Sequence, residues 1–169
     1  MLKRVFLTAV AAAFTLLLLP AVPGAGDAQA QMTMNLASAG RGGGVSAIIE
    51  SYRHGVSVPQ GGAAARTRGQ RTYEPLTVRK RVDAATPLLY RALARSENIP
   101  AVTIRLPTTR AAGGPTMTIT MTDARIVTIT SGSSGDELPI EEVSFNYAKI
   151  KWTYSEGGIE FEDDWQANR

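Results

Sequence analysis

The chain has 169 residues, with 18 Lys and Arg against 15 Asp and Glu, and it contains no cysteine. This length fits one domain with a single hydrophobic core. The absence of cysteine excludes disulfides and thiolate metal sites, and a single histidine excludes a histidine-rich metal centre. Burial and strand pairing must therefore stabilise the fold, and no metal or cofactor is predicted.

The first thirty residues have the order of a secretory signal peptide. Two basic residues precede an apolar run over residues 5–19, and an Ala-Gln-Ala site ends at Ala30. The apolar run is shorter than the roughly 20 residues that a helix needs to span a bilayer. Cleavage after Ala30 is predicted, with export to the periplasm or beyond the cell and no membrane span left afterwards. An uncleaved anchor or a true start at Met32 or Met34 is the alternative.

The charges are unevenly distributed along the chain. Residues 32–110 carry 12 Lys and Arg against 4 Asp and Glu, whereas residues 111–169 carry 4 against 10. Three interpretations stay open: a basic face for nucleic acid, contacts between the basic and acidic surfaces of two copies, or solvated faces without a partner. Nucleic acid is disfavoured, because among the basic residues only Tyr73 could stack on a base. The basic set considered for nucleic acid or anionic lipid is Arg66, Arg68, Arg71, Arg79, Lys80 and Arg81.

The first predicted elements follow the leader. Residues 31–44 are small and polar, which predicts a flexible leader or a weak first strand. Residues 45–58 alternate as a strand with a bulge at Gly55. After a loop, residues 72–82 are strand-like, and Pro75 indicates an edge or a bend.

One helix is predicted, at about residues 84–97. Asp83 can cap it, and Pro87 suits its first turn. Leu89 and Ala92 recur at helical spacing and mark its buried face.

The remainder alternates with the period of two that is typical of strands. Over residues 116–130 the apolar positions are odd up to Met121 and even from Ala124. Over residues 143–154 they change in the same way after Tyr147. A strand that changes its buried face contains a bulge or crosses between two sheets. The pattern predicts a mainly antiparallel β-barrel or two-sheet sandwich with one flanking α-helix.

The tail predicts a last short strand with Phe161 and Trp165 facing inward. Its acidic run could hold Ca²⁺ loosely, but it lacks the spacing of a calcium loop, so a solvated acidic tail is favoured. No catalytic residue is predicted. His54 is interpreted as an ordinary surface or packed histidine, and the serines of SGSSG as a turn, since no histidine lies near them in the sequence. An enzyme is therefore disfavoured.

Two long segments resemble the Hcp family (haemolysin-coregulated protein), the tube protein of type VI secretion systems. They are LTVRKRVDAATPLLYRALARSENIP at residues 76–100 and MTITMTDARIVTITSGSSGDELPIEEVSFNYAKIKWTY at residues 117–154. Trp165 and Asn168 are similar to the closing element of the family, so the resemblance runs over residues 45–168. It implies a β-barrel with a flanking helix at residues 45–169, hexameric rings that can stack into a tube, and effector proteins or secretion components as partners.

The resemblance also implies which residues could contact neighbouring copies. A basic loop and strand and an acidic Ser/Gly tip are the candidate interfaces. The candidates are Arg66, Arg68, Arg71, Arg79, Ser133, Ser134, Asp136, Glu137, Glu141 and Glu142. The signal peptide departs from the family, whose tube is built in the cytoplasm. The alternative function is therefore a stand-alone exported binding or scaffold module with the same barrel.

Overall fold

The computed structural model describes residues 30–37, 44–58 and 71–164. One helix, α1, covers Thr86–Ala94, and a 3₁₀ turn covers Glu156–Gly158. The strands are β1 Thr33–Leu36, β2 Val45–Ile48, β3 Ser51–Arg53, β4 Val56–Ser57, β5 Thr72–Tyr73, β6 Leu76–Arg81, β7 Ile99–Pro107, β8 Thr116–Gly132, β9 Ile140–Asn146, β10 Lys149–Tyr154 and β11 Ile159–Asp164.

Some predicted features lie outside the described residues. They are the signal peptide up to residue 29, the loop residues Arg66 and Arg68, and the tail residues Trp165 and Asn168. Within the described ranges, no helix is long and apolar enough to cross a membrane.

The main sheet closes into a barrel. Its strand order is β2-β1-β7-β8-β9-β6-β3, and neighbouring strands are antiparallel. Only Ile49 and Glu50 separate β2 from β3, the two ends of this order. The Ile49 N–H donates to the Met32 carbonyl at 3.0 Å, and the Glu50 N–H donates to the Arg79 carbonyl at 2.8 Å. The bent β2–β3 segment therefore joins the first strand to the last, and the predicted barrel with one helix is confirmed.

Strand β8 belongs to both halves of the barrel and turns a corner at Asp123. It pairs with β10 up to Thr122 and with β9 from Arg125 onward. Between them, Asp123 has a φ of 50°, a left-handed conformation that Asp tolerates better than most residues. The predicted change of inward face is confirmed there. The buried side chains are Ile119 and Met121 before the corner and Ala124 and Ile126 after it.

The second predicted crossing lies between β9 and β10. Residues 143–154, expected as one long strand, form two strands separated by Tyr147 and Ala148. Val143, Phe145 and Tyr147 are buried on the odd positions, and Ile150 is buried on an even one. The change of face is therefore confirmed. The β10–β11 hairpin continues along the first part of β8.

Helix α1 begins with a reciprocal turn and is shorter at both ends than predicted. The Asp83 carboxylate accepts a hydrogen bond from the Ala85 N–H at 2.8 Å, and the Thr86 hydroxyl accepts one from the Asp83 N–H at 3.1 Å. Leu89 and Ala92 are buried, as their spacing predicts. The helix packs against β8.

The alternative of a weak first strand is confirmed for the first part of the leader. Residues 33–36 form β1, which lies between β2 and β7. Met34 is fully buried and Leu36 nearly so. Side chains at alternate positions of a strand point to the same face, and here that face is the core. The expected single strand over residues 45–58 is likewise divided into β2, β3 and β4.

The last strand is confirmed, but the predicted inward position of Phe161 is wrong. Phe161 is 59% exposed, whereas Asp163 on the same face of β11 is buried. The β10–β11 hairpin is buried near Ile150 and Asp163 and becomes more exposed towards its turn. Phe161 therefore stacks on Trp152 at a centroid distance of 5.9 Å and stays open to solvent on its other side.

Candidate assembly surfaces

The basic strand β6 and the acidic strand β9 are neighbours in the barrel. Their antiparallel register places Arg79 opposite Glu142 and Lys80 opposite Glu141. Opposite charges directly across an antiparallel pair stabilise the sheet. Part of the uneven charge along the chain is therefore balanced inside one copy, which none of the three sequence interpretations includes. The signal was present in the sequence, since VRKR at residues 78–81 and IEEV at residues 140–143 carry complementary charges when read in opposite directions.

Lys80 and Glu141 form a buried ion pair at 0% and 1% exposure. Lys80 Nζ donates to Glu141 Oε1 at 2.7 Å and to Asp83 Oδ1 at 2.8 Å. The Thr86 hydroxyl donates to the same Glu141 oxygen at 2.8 Å. This polar cluster joins β6, β9 and the first turn of α1.

Glu141 is consequently not part of an exposed acidic surface, and its place among the interface candidates is corrected. It shares the inward face of β9 with Val143 and Phe145, because side chains two residues apart point to the same side of a strand. Glu142 points outward and is exposed.

Arg79 lies on the outer face, where the carboxylate of Glu50 partly balances its positive charge. Glu50 accepts from Arg81 Nε at 2.9 Å, and its other oxygen lies 3.7 Å from Arg79 Nε. All three side chains are exposed by a third or more, so these contacts contribute little stability. Arg79 remains accessible to a partner.

The acidic strand β11 is also paired with basic residues of the same copy. The expectation of a solvated acidic tail is wrong for Asp163, which is buried, whereas Glu160 and Glu162 are exposed. The ion pairs are Lys149–Asp164 at 2.7 Å, Lys151–Glu160 at 2.7 Å and Arg71–Asp163 at 2.6 Å. In the described residues no group of three or more His, Asp or Glu side chains could hold a metal ion.

Arg71 lies at the rim of an apolar groove that the sequence did not predict. The groove has a volume of about 310 Å³ between the β4–β5 and β10–β11 hairpins. Its walls are Val56, Tyr73, Trp152 and Phe161, and the Arg71–Asp163 ion pair also lines it. We call it the aromatic groove. Its residues come from distant parts of the chain, so no local motif marks it.

His54 is packed close to this groove. Its Nε2 and the Tyr147 hydroxyl share a hydrogen bond of 2.6 Å, and its ring lies 5.8 Å from that of Trp152. His54 lies between β3 and β4, and Tyr147 lies between β9 and β10. The bond therefore ties two bends of the chain together. Burial lowers the pKa of His54 below 6.5, against the opposing effect of the Glu74 carboxylate, and burial raises the pKa of Tyr147.

The lowered pKa of His54 predicts that acid destabilises the fold through this residue. The unfolded chain takes up the proton near pH 6.5, whereas the folded state resists it until a lower pH. The stability that neutral His54 contributes to the fold is therefore complete above pH 6.5. It is lost as the pH falls from there through the pKa of His54 in the folded state. Thermal melts between about pH 7.5 and 5 should show a smaller loss of Tm for His54→Gln than for the wild type. Equal losses in both proteins would contradict this role.

The Ser/Gly tip forms the turn between β8 and β9. Ser133, Ser134, Asp136 and Glu137 are exposed, and their place at an interface stays a prediction. In the described part of the chain, neither acidic residue of the tip has an ion-pair partner. The next residue, Leu138, is a 62% exposed apolar residue within a polar turn, and it was not among the predicted candidates.

The candidate residues thus fall into separate places. Arg71 lies at the aromatic groove, Arg79 and Glu142 lie on the outer face of β6 and β9, and the other described exposed candidates lie at the tip. Both the groove and the tip expose large apolar side chains beside charged ones.

Comparison with known proteins places most of the barrel in one family. The family model described as "Type VI secretion system effector, Hcp" matches residues 44–154. The "Major exported protein" of Pseudomonas aeruginosa is 32% identical over 129 residues, which cover 71% of this chain and 75% of the relative.

Solved structures are similar over the same region. The crystal structure of an Hcp protein has a TM-score of 0.63 at 28% identity and covers 71% of this chain and 78% of its own. Secreted protein Hcp3 from Pseudomonas aeruginosa has a TM-score of 0.64 at 25% identity, covering 82% of this chain and 99% of its own. With a closed barrel, one helix and a match over two thirds of its length, the chain belongs to the Hcp family of type VI secretion.

Proposed function

We propose that this chain is a non-enzymatic structural subunit that is exported and assembles into hexameric rings, which carry or bind effector proteins. The observation that carries the proposal is the pair of unlike exposed surfaces on one barrel. The aromatic groove is apolar and has the half-exposed Arg71 of the Arg71–Asp163 ion pair at its rim, and the tip is acidic with an exposed Leu138.

Two different complementary surfaces are what a ring requires. In a head-to-tail contact, one surface of a copy binds the other surface of its neighbour, so each copy still has one surface available for the next copy. The series of copies closes into a ring when the rotation between neighbours allows it. Many other charges are already balanced within the copy, among them those of Lys80, Glu141 and Asp163. The acidic residues of the tip therefore remain for an intermolecular contact.

Light scattering of the mature chain tests the ring. A mass near six protomers is expected at low salt, and the particle should lose mass on dilution through a reversible equilibrium. A monomer at every concentration and salt would contradict the ring.

A stand-alone exported module is the second candidate, and the predicted signal peptide favours it. Mass spectrometry of the N-terminus in fractionated cells distinguishes the two settings. A chain that begins at Gln31 outside the cytoplasm supports export through the signal, and with a monomeric mass it would favour the stand-alone module. An uncleaved chain in the cytoplasm would favour ordinary assembly there.

A further inference from the structure

We propose that Leu138 at the tip of one copy inserts into the aromatic groove of a second copy, with Asp136 and Glu137 beside Arg71. This inference rests on the proposed assembly and specifies which surfaces meet. The partner is a second copy of this chain, bound head to tail.

Leu138 is presented by a well-held turn. The Glu137 N–H donates to the Ser134 carbonyl at 3.1 Å, and Gly135 takes a positive φ of 55°. On the other side, the Pro139 carbonyl accepts from the Val82 N–H at 3.0 Å. A large apolar side chain is thus fixed on an ordered support, which lowers the entropy lost on binding.

The aromatic groove has the size and chemistry to receive such a side chain. Its volume of about 310 Å³ lies at the lower end of the range for ligand pockets. Phe161 and Val56 are both exposed walls, and Trp152 stacks behind Phe161. Covering these rings with Leu138 removes apolar surface from water on both copies.

The charges at the two surfaces are complementary. Arg71 uses Nη1 for Asp163, and its side chain is still 45% exposed at the groove rim. A guanidinium has five N–H donors, so one ion pair does not exhaust it. Asp136 and Glu137 directly precede Leu138 and carry the opposite charge. The contact should therefore form faster at low salt, while the apolar insertion sets much of its strength.

The tip cannot reach the groove of its own copy. Trp152 pairs with Ile119 near the start of β8, whereas the tip follows Gly132 at the end of that strand. β8 keeps one register with β7 on both sides of Asp123, so it bends there without reversing. At about 3.3 Å per residue, the stretch of β8 from Ile119 to Gly132 is about 43 Å long, so the two features lie near opposite ends of that strand. Only another molecule can bring them together.

Two single substitutions test the contact, since both residues are exposed and neither should disturb the fold. Leu138→Ser and Phe161→Ser are each expected to weaken association by at least about tenfold, as for a central interface residue. Ile159→Ser is the matched control. Ile159 is 69% exposed on the same strand as Phe161 and does not line the groove, so its variant should associate like the wild type.

Mixing the two variants distinguishes this contact from a general loss of assembly. Leu138→Ser retains an intact groove and Phe161→Ser retains an intact Leu138. Each should be monomeric alone, and an equal mixture should form dimers that cannot grow, because only one native contact is available. Monomers in the mixture would overturn the inference.

A cross-link gives an independent readout in this cysteine-free chain. Copies with Leu138→Cys should form a disulfide with copies carrying Phe161→Cys faster than with copies carrying Ile159→Cys. Equal rates would overturn the inference. If the wild type and both serine variants all have the mass of six protomers, the ring stands and this contact is wrong. If the wild type is monomeric throughout, both the ring and the contact fail.

Discussion

Replacing Lys80 by Met is expected to lower the free energy of unfolding by about 3–5 kcal/mol. Glu141 would remain buried with no cation beside it, and its Oε2 already lacks a hydrogen-bond partner among the described residues. Removing one partner of a buried pair leaves a charge that the interior cannot solvate. Urea denaturation measures the loss as a lower midpoint with an unchanged slope.

Two further variants isolate the cause. Lys80→Met combined with Glu141→Leu removes both charges and should recover most of the lost stability, because a well-packed apolar pair often matches a buried ion pair. Arg81→Met removes an exposed cation from the same strand and should cost no more than about 1 kcal/mol. If Lys80→Met and Arg81→Met cost the same, the buried pair has no special role.

Substitutions at the neighbouring residues Glu141 and Glu142 distinguish an effect on folding from an effect on assembly. Glu141→Lys puts a second cation against Lys80 and should prevent folding, whereas Glu142→Lys changes an exposed residue and should leave the fold intact. Only Glu142→Lys can therefore report on an intermolecular contact. Circular dichroism before any sizing experiment shows which variants qualify.

Phe145→Ala is expected to cost about 3–5 kcal/mol of stability. Phe145 is fully buried in β9, where it lies between Leu76 of β6 and Ile126 of β8. Its loss leaves a cavity between three strands that cannot move closer without breaking their pairing. Thermal or urea melts of the variant measure the effect.

Phe161→Ala is the matched control, because the same side chain is removed from an exposed position. It should cost clearly less than Phe145→Ala, and Trp152→Ala should fall between them, since Trp152 is partly buried against the core. Equal losses for the two phenylalanines would show that β9 is not central to the core.

The alternation of apolar residues predicted the barrel well because strand geometry has a period of two. Met121 and Ala124 lie on either side of a break in that period, and the structure has a left-handed residue, Asp123, at the break. A change of face needs a local change of backbone, which leaves a trace in the pattern. The trace of β1 was weaker, since four residues with two apolar positions fit a polar leader as well as a weak strand.

The charged interior could not be predicted from residue type alone. Lys80 and Glu141 are of the types least often buried. Their positions become clear only when β6 and β9 are placed side by side in the correct register. Register depends on the whole sheet, and so residue type gave no sign that these two charges meet in the interior.

One of the two candidate surfaces could be predicted from neighbouring residues in the sequence, and the other could not. The exposed tip follows from its Ser, Gly and Asp composition, which is local. The aromatic groove joins Val56 and Tyr73 to Trp152 and Phe161, which are far away in sequence. Phe161 was expected inside because an aromatic residue in an alternating strand usually packs inward. Here the hairpin extends away from the core.

The position of β1 has a consequence for the time course of folding. β1 lies between β2 and β7, and Thr33 pairs with Arg105, a contact between remote parts of the chain. Sheets built on such remote pairings form slowly, in milliseconds to seconds. As long as another molecule binds the N-terminal residues, the edges of β2 and β7 that pair with β1 stay unpaired and the barrel stays open. Release of the N terminus is then the step that completes the native state.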